Sequence, residues 1–452
     1  MKMGGWWRRD ALALCLLWAG CAPLGRGAAS TQDEASVGLD GSGRALAHEA
    51  GGGALDASAA LSLESGVMGH AELADDAGAS AATLPWLRSE VALEPDGRSV
   101  PLSFALSAFQ RPVFALRAYA ADAAVSAGLC FQLEEVRADT LEWWVPRATS
   151  ADYGDYCTRC AQRVAVGRGY GMFVLPSATD QPDRITTLEL RIALRDCLTL
   201  SPLSLDTKRP DSLVVESESF AAPARDTKLL LPLSIVVATP YAFGDGAELG
   251  SVFAKLREIW RAAGIELLLR GPLSLPRPVA PVVYGATDRQ ALSALALAAK
   301  ALAREAGVEP AAPWLVLTPC LIRQDPSAGG QTQPLAVTTH LPGGFSVTDE
   351  ADGIFVAVER CGGLTPAARY LESDSLAAVI AHELGHYLGL FHVQEPDGRE
   401  DSLPDTHVDE PSLMQAMPSA EATGLAESQI SIARRHPALA VTTRDKPLSG
   451  KD

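Results

Sequence analysis

The sequence predicts an α/β (or α+β) domain in the second half of the chain, preceded by an all-β domain similar to a β-sandwich. Two patterns predict this arrangement. Short runs of β-branched and aromatic residues, separated by turn residues, recur between residues 84 and 205. From residue 229 to 440, apolar runs that fit buried strands alternate with segments whose apolar residues recur at helical spacing. The length of 452 residues is sufficient for two or three domains.

The individual elements follow from this patterning. In the first domain we expect strands at Ser103–Leu106, Pro112–Arg117, Arg163–Val166, Gly171–Leu175 and Thr186–Ile192. In the second we expect strands at Leu229–Ala238, Ile265–Leu269, Trp314–Leu317 and Ile354–Val358, helices opened by Asp245, Asp288 and Asp374, and a final helix within Gly424–Ala438. This order is typical of an α/β sheet followed by its last helices.

Residues 1–21 have the features of an export signal. A basic start is followed by the apolar stretch Ala11–Ala19, which is too short to span a bilayer as a stable helix. The sequence from Trp18 to Cys21 approximates a bacterial lipobox, so Cys21 is predicted to carry lipid and to anchor an exported protein to a membrane. An ordinary signal peptide cleaved nearby, or an uncleaved anchor, is the alternative.

Three further segments are expected to connect or flank the domains. Residues 22–83 are rich in Ala, Gly, Ser, Asp and Glu and contain no aromatic residue, so they are interpreted as a flexible tether. A helical propeptide is the competing interpretation of this segment. Residues 206–228 lack periodicity and are interpreted as a linker, and residues 441–452 as a flexible tail.

The cysteine count fits an exported protein. Of eight cysteines, Cys15 would leave with the signal and Cys21 would carry lipid, and the even remainder suggests disulfides. Cys320 and Cys361 flank predicted strands of the second domain and could pair. The first domain contains four cysteines with three open pairings, and a Cys-x-x-Cys among them could instead be half of a metal or redox site. These four are Cys130, Cys157, Cys160 and Cys197.

The net charge of the chain restricts its partners. A formal charge of −17 makes the protein a poor candidate for binding nucleic-acid backbones. No apolar run after the N-terminus is long enough to cross a bilayer, so we expect membrane contact through the lipid anchor alone. The expected location is the cell envelope, as a lipoprotein, or the medium, as a secreted protein.

The most informative segment is Ala381–His392, which contains the pattern H-E-x-x-H-x-x-G-x-x-H. His382 and His386 are four residues apart, so both imidazoles project from one face of a helix. At this spacing two nitrogens can each reach one Zn²⁺ at roughly 2.0–2.1 Å. Glu383 lies one step further round the helix, where it can act on a water at the metal instead of binding the metal.

The second half of the pattern supplies a third ligand. Gly389 can adopt a positive φ and end the helix, after which the chain turns back and His392 can reach the same metal. Three protein ligands leave a fourth coordination position open, which is typical of a catalytic zinc site and not of a structural one.

At these residues the sequence resembles the metzincin clan of zinc peptidases, which carries this long motif. In that clan a methionine turn follows and places a methionine beneath the metal, and Met414 within Pro411–Gln415 matches it. The acidic run from Glu395 to Thr406 is most similar to pappalysin-type or cytophagalysin-type members. Some members carry a tyrosine two residues after the methionine; here Ala416 stands there, so a transition-state tyrosine is not supported.

The resemblance implies a zinc-dependent endopeptidase acting on protein or peptide substrates, with Glu383 as general base and then general acid. It also implies that an edge strand near residues 324–347 binds the substrate backbone by strand addition. The alternative is a catalytically inactive, surface-anchored binding lipoprotein that uses its β domain. Trp143 and Trp144 could form a carbohydrate-binding platform there, although such a pair more often packs in a core.

A second kind of metal could bind after the motif. Oxygen ligands at this density could hold Ca²⁺, although a solvated acidic loop is the simpler interpretation. The carboxylates concerned are Glu395, Asp397, Glu400, Asp401, Asp405 and Asp409. His340 is not expected to bind zinc, because the three motif histidines suffice.

Overall fold

The computed structural model describes residues 86–441 with short gaps. The gaps are residues 107–110, 140–142, 148–161, 178–184, 198, 204–208, 240–246, 277–278, 286–289, 308–312, 326–329, 346–351, 362–370, 396–397 and 402. The predicted export signal with Cys21, the tether, residues 442–452 of the predicted tail and the Cys157-x-x-Cys160 pair therefore lie outside the described residues.

The first part of the described chain forms two antiparallel sheets and one short helix. Its elements are β1 (Leu87–Ala92), β2 (Leu102–Ala105), β3 (Pro112–Tyr119), α1 (Ala123–Ala127), β4 (Leu129–Ala138), β5 (Trp143–Val145), β6 (Gly167–Arg168), β7 (Gly171–Leu175), β8 (Thr187–Asp196) and β9 (Ser212–Ala221). One sheet has the order β1-β9-β3-β7, and the other has the order β2-β8-β4-β5 with β6 beside β4.

One hydrophobic core contains side chains from both of these sheets. Phe114 and Leu116 of β3 share it with Phe131 and Leu133 of β4. Trp144 is buried in the same core, which favours the packing interpretation for this residue over a carbohydrate platform.

Two expectations for this part of the chain are wrong. Residues 206–228 do not form a simple linker, because Ser212–Ala221 is a strand that pairs with both β1 and β3. This strand contains charged residues, so its sequence lacks the pattern expected of a strand. One of them, Glu216, accepts a hydrogen bond from the Tyr119 hydroxyl at 2.9 Å across the sheet. The expected strand Arg163–Val166 is also not one of the strands, and the short β6 follows it instead.

The second part of the described chain is α/β. Its elements are β10 (Leu229–Val237), α2 (Ala247–Ala262), β11 (Ile265–Ser274), β12 (Val282–Gly285), α3 (Gln290–Glu305), β13 (Trp314–Thr318), β14 (Leu321–Asp325), β15 (Gly330–Thr332), β16 (Ala336–Thr338), β17 (Ile354–Ala357), α4 (Ser373–Tyr387), α5 (Glu427–Ala433) and β18 (Ala440–Val441). The main sheet has the order β11-β10-β13-β17-β16, with β18 beside β10, and a smaller sheet has the order β12-β14-β15.

The main sheet sets the position of α4. Strands β11, β10, β13 and β17 are parallel to their neighbours, whereas β16 is antiparallel to β17 and occupies the end of the sheet. Leu376, Ile380 and Leu384 of α4 belong to the core that also contains apolar residues of β10, β13 and α2. Helix α4 begins at Ser373 with Glu372 as its N-cap, so Asp374, the predicted cap, instead lies in the first turn, where a carboxylate also favours the helix dipole.

Two disulfides lie within the described residues. Cys320 and Cys361, the pair that the sequence suggested, are joined with an S–S distance of 2.06 Å. Cys130 is joined to Cys197, which is one of the pairings that the sequence left open. Within the described part of the chain, no helix has the length and apolar character needed to cross a bilayer.

Candidate metal centre

The end of α4 brings three histidines together. His382 and His386 lie one turn apart on the helix, and Gly389 follows with φ +95°, a conformation that glycine adopts without steric penalty. At this turn the Leu390 N–H donates to the Gly385 carbonyl oxygen at 2.9 Å, closing the helix C-terminus. The chain then reverses and His392 returns to the face that carries the other two rings.

The three imidazoles point their Nε2 atoms at one another. The Nε2 of His392 lies 3.2 Å from that of His382 and 3.0 Å from that of His386. One ligand atom from each ring lies within 4.8 Å of the others. Two nitrogens bound to one tetrahedral Zn²⁺ at roughly 2.0–2.1 Å would lie about 3.4 Å apart, so the observed spacing fits a shared ion.

The opposite ring nitrogens fix the tautomers. Nδ1 of His382 faces the Leu413 carbonyl oxygen and Nδ1 of His386 faces the Leu390 carbonyl oxygen, each at 2.7 Å. Nδ1 of His392 faces Oε2 of Glu395 at 2.8 Å. Because all three partners are acceptors, each Nδ1 carries the hydrogen and each Nε2 presents a lone pair.

This arrangement fits a cation better than it fits a hydrogen-bond network. The Nε2 lone pair of His392 faces those of His382 and His386 at 3.2 and 3.0 Å with no hydrogen between them, so these lone pairs repel. A Zn²⁺ ion accepts all three, and imidazole nitrogens are among its preferred ligands.

Burial keeps the first two rings neutral. Burial, together with the nearby His392, lowers the pKa of His382 to about 3. Burial, with the neighbouring histidines, also lowers the pKa of His386 well below its usual value. A neutral imidazole is the form that binds a metal, so these two rings are ready to bind at neutral pH.

Glu383 is buried beside the histidines. Its Oε2 accepts a hydrogen bond from the Thr338 hydroxyl at 2.7 Å, and its carbonyl oxygen lies 2.8 Å from the same hydroxyl. Burial raises the pKa of Glu383 to about 7, and the Thr338 hydrogen bond opposes this rise. A carboxyl with this pKa can both take up and release a proton at neutral pH.

Met414 packs against Gly385, which lies between the two helical histidines in the sequence. It is fully buried, and a β-carbon at Gly385, between the two helical histidines, would lie 2.5 Å from its Sδ. The Met414 carbonyl oxygen also accepts from the Val393 N–H at 2.8 Å, which ties this turn to the residue after His392. Only glycine fits at position 385 with the methionine in this place.

The remaining candidates do not join the site. His340 is buried and its Nδ1 faces the Asp352 carboxylate, while its Nε2 lies 2.8 Å from the Arg168 carbonyl oxygen. Among the described residues, the histidine triad is the group found with metal-ligating geometry, so the acidic segment gives no support to calcium. Asp397 of that segment lies outside the described residues.

Two residues of the site were missed by sequence reasoning. Glu395 was considered only as a calcium ligand, although its place three residues after His392 is a signal that it could reach the ring. Thr338 gave no signal, because its contact with Glu383 depends on how β16 and α4 pack together.

Comparison with known proteins adds little to this geometry. No protein-family model and no curated protein matches the sequence. Among solved structures the chain is similar to archaemetzincin from Methanopyrus kandleri, with 19% identity over 46% of this chain and 87% of that chain and a TM-score of 0.23. It is also similar to metalloproteinase-II from Bacteroides fragilis, with 11% identity over 56% of this chain and 63% of that chain and a TM-score of 0.28.

Proposed function

We propose that this chain is a zinc-dependent endopeptidase of the metzincin type. The observation that carries the proposal is the convergence of three Nε2 lone pairs, from His382, His386 and His392, next to the buried carboxylate of Glu383. Met414 is the apolar residue beneath the metal in this proposal. A Zn²⁺ ion, when bound, lowers the pKa of a water and polarises a carbonyl group.

The protein's own groups then move the proton. Glu383 takes a proton from the attacking water and delivers it to the leaving amine, a general base and general acid role that contributes typically about 10²–10⁴-fold. The Thr338 hydroxyl holds one oxygen of Glu383 at 2.7 Å and so restricts the rotation of its carboxylate. The Nδ1 bonds of the histidines fix the orientation of the rings throughout.

In this proposal the substrate backbone pairs with the edge strand β16. This strand pairs with β17 on one side, and among the described residues no strand pairs with its other side. Its three residues are half-buried, and Thr338 at its end contacts Glu383. An extended peptide added to this edge would pass beside the general base, which suits an enzyme that cleaves within a chain.

We further propose that the protein works outside the cytoplasm, held to a membrane by lipid on Cys21. The disulfides Cys320–Cys361 and Cys130–Cys197 support an oxidising compartment. The lipobox-like sequence supports the anchor, and partition of the full-length protein into detergent, lost in Cys21→Ser, is the expected result. If Cys21→Ser still partitions fully into detergent, Cys21 does not carry the anchor.

The test of the activity is cleavage of casein or a peptide library by the purified protein. We expect cleavage that a chelator abolishes and Zn²⁺ restores, and that Glu383→Gln lacks while it still binds zinc. A protein that binds zinc and folds but cleaves nothing would favour the inactive binding lipoprotein. Cleavage that survives the chelator would exclude the metal mechanism.

A further inference from the structure

We propose that the N-terminal part of the described chain helps to build the metal site: Arg163, in the segment before β6, positions Glu395 and, through it, the third histidine His392. The inference rests on the proposed function in one respect, that the histidine triad holds a metal. It assigns Arg163 as a positioning residue, since its guanidinium lies against the carboxylate of Glu395, the partner of the metal ligand.

Successive contacts connect Arg163 to the proposed metal ligand His392. The Arg163 Cζ lies 4.1 Å from the centroid of the Phe391 ring, and Phe391 directly precedes His392. The Arg163 Nη2 lies 4.0 Å from Oε1 of Glu395, and both side chains are largely buried, at 6% and 15% exposure. The other oxygen of the same carboxylate, Oε2, accepts from Nδ1 of His392 at 2.8 Å.

His392 differs from the other two ligands in what orients it. His382 and His386 donate to the main-chain carbonyl groups of Leu413 and Leu390, which the backbone holds in place. His392 donates to a side-chain carboxylate, which can rotate away about its own torsions. The orientation of His392 therefore depends on whatever restrains Glu395.

Arginine suits this restraint. Its flat guanidinium can lie on the Phe391 ring while its edge reaches Glu395, so one group holds both the residue before the ligand and the ligand's partner. Lysine would keep the positive charge but could not make the stacked contact in the same way. Asp401 also lies within the field of Arg163, so the test must separate its effect from that of Glu395.

Arg163 is not the only buried arginine where the two parts of the chain meet. Arg435 is 3% exposed and donates to the Pro176 carbonyl oxygen at 2.7 Å, which joins the segment after α5 to the segment after β7. It touches none of the three histidines in these contacts. Arg435 is thus a matched control for the general effect of losing a buried arginine in this region.

The experiment measures Zn²⁺ dissociation constants of the full-length protein by competition with a chromophoric chelator. The variants are Arg163→Met, Arg163→Lys, Glu395→Gln, Asp401→Asn and Arg435→Met, and thermal unfolding of each metal-free protein is recorded beside it. We expect Arg163→Met and Glu395→Gln to weaken Zn²⁺ binding by about 10–100-fold, which is typical when a metal-binding histidine loses the group that orients it. Arg163→Lys should lie between Arg163→Met and the wild type, and Asp401→Asn and Arg435→Met should stay within about 3-fold of the wild type even where unfolding shifts.

Several results would overturn the inference. Equal weakening by Arg163→Met and Arg435→Met would reduce Arg163 to a structural role, and wild-type affinity in Arg163→Met would remove it from the site. Weakening by Asp401→Asn as large as that of Glu395→Gln would assign Arg163 to the wrong carboxylate. If Arg163→Met does not fold, Arg163→Lys against Arg435→Lys decides, with weaker binding expected in the first alone. A wild-type protein that binds no Zn²⁺ would instead contradict the proposed function.

Discussion

Two buried glutamates in this molecule have opposite surroundings. Glu134, in β4 of the N-terminal part, is fully buried, and its carboxylate pairs with Arg195 and lies 2.9 Å from Nε of Arg98. Glu383, in α4, is 9% exposed, and within the described part of the chain no lysine or arginine forms an ion pair with it. The neutral hydroxyl of Thr338 donates a hydrogen bond to its side chain.

The difference in partners determines which roles the two carboxyl groups can fill. A carboxylate buried against two guanidinium groups is part of a charge network; removing Glu134 takes away a buried partner of Arg195, whereas Arg98 keeps its ion pair with Asp96. A buried carboxyl without a cation has a raised pKa and exchanges its proton near neutral pH, as Glu383 does. Burial and residue type are the same; the partners decide which role the group can fill.

The largest expected effect is on catalysis by Glu383→Gln. We expect turnover to fall by about 10²–10⁴-fold, because the amide cannot accept a proton from water. Zinc content, measured by elemental analysis, should stay near one ion per chain. Turnover within a few-fold of the wild type would show that Glu383 is not the base.

The matching change at the structural carboxylate is Glu134→Gln. Breaking a buried ion pair by removing one partner destabilises a protein by about 3–5 kcal/mol, and we expect a loss of this order in the free energy of unfolding. Chemical denaturation measures it, and zinc affinity of the folded variant serves as the control, which should not change. A decrease in the free energy of unfolding below about 1 kcal/mol would show that the charge of Glu134 contributes little to stability.

The same comparison predicts a pH-dependent gain in stability for Glu383→Gln in the metal-free protein. The folded-state pKa of Glu383, about 7, exceeds the usual value, so its stabilising contribution is present at low pH and is lost as pH rises through about 7. The variant should therefore be more stable than the wild type by about 3 kcal/mol at pH 8, and equally stable near pH 4. Urea unfolding at the two pH values measures this, and an equal difference at both would contradict the raised pKa.

The smallest expected effect comes from Thr338→Val. Loss of one hydrogen bond of about 1 kcal/mol should lower kcat by roughly tenfold or less. Because that bond lowers the pKa of Glu383, its loss should also move the acid limb of the pH–rate profile to higher pH. Thr338→Ser keeps the hydroxyl and should keep both the rate and the profile; a shift in Thr338→Ser as large as in Thr338→Val would implicate packing instead.

The parts of the fold that sequence could predict are those with a local pattern. The strand β10 and the helix α4 each carry an apolar pattern with the period of its own element, and the helical spacing of His382 and His386 follows from local geometry alone. The strand β9 was missed because it contains charged residues, one of which, Glu216, has its partners on another strand. Such partners are distant in sequence and leave no periodic signal.

The site shows the same division. The three histidines and Glu383 lie within eleven residues of one motif, so their proximity could be predicted. Thr338 is 45 residues from Glu383, and Arg163 is far from Glu395 in sequence, so neither contact could be. The sequence thus predicts the groups that carry the chemistry but not the groups that hold them in position.

The most direct test of the whole account is zinc K-edge X-ray absorption on the purified protein loaded with one equivalent of Zn²⁺. We predict a shell of nitrogen and oxygen atoms at roughly 2.0–2.1 Å with outer scattering from three imidazole rings and no sulfur. A sulfur shell at about 2.3 Å, or fewer than three imidazoles, would contradict the assignment of His382, His386 and His392 as the metal ligands.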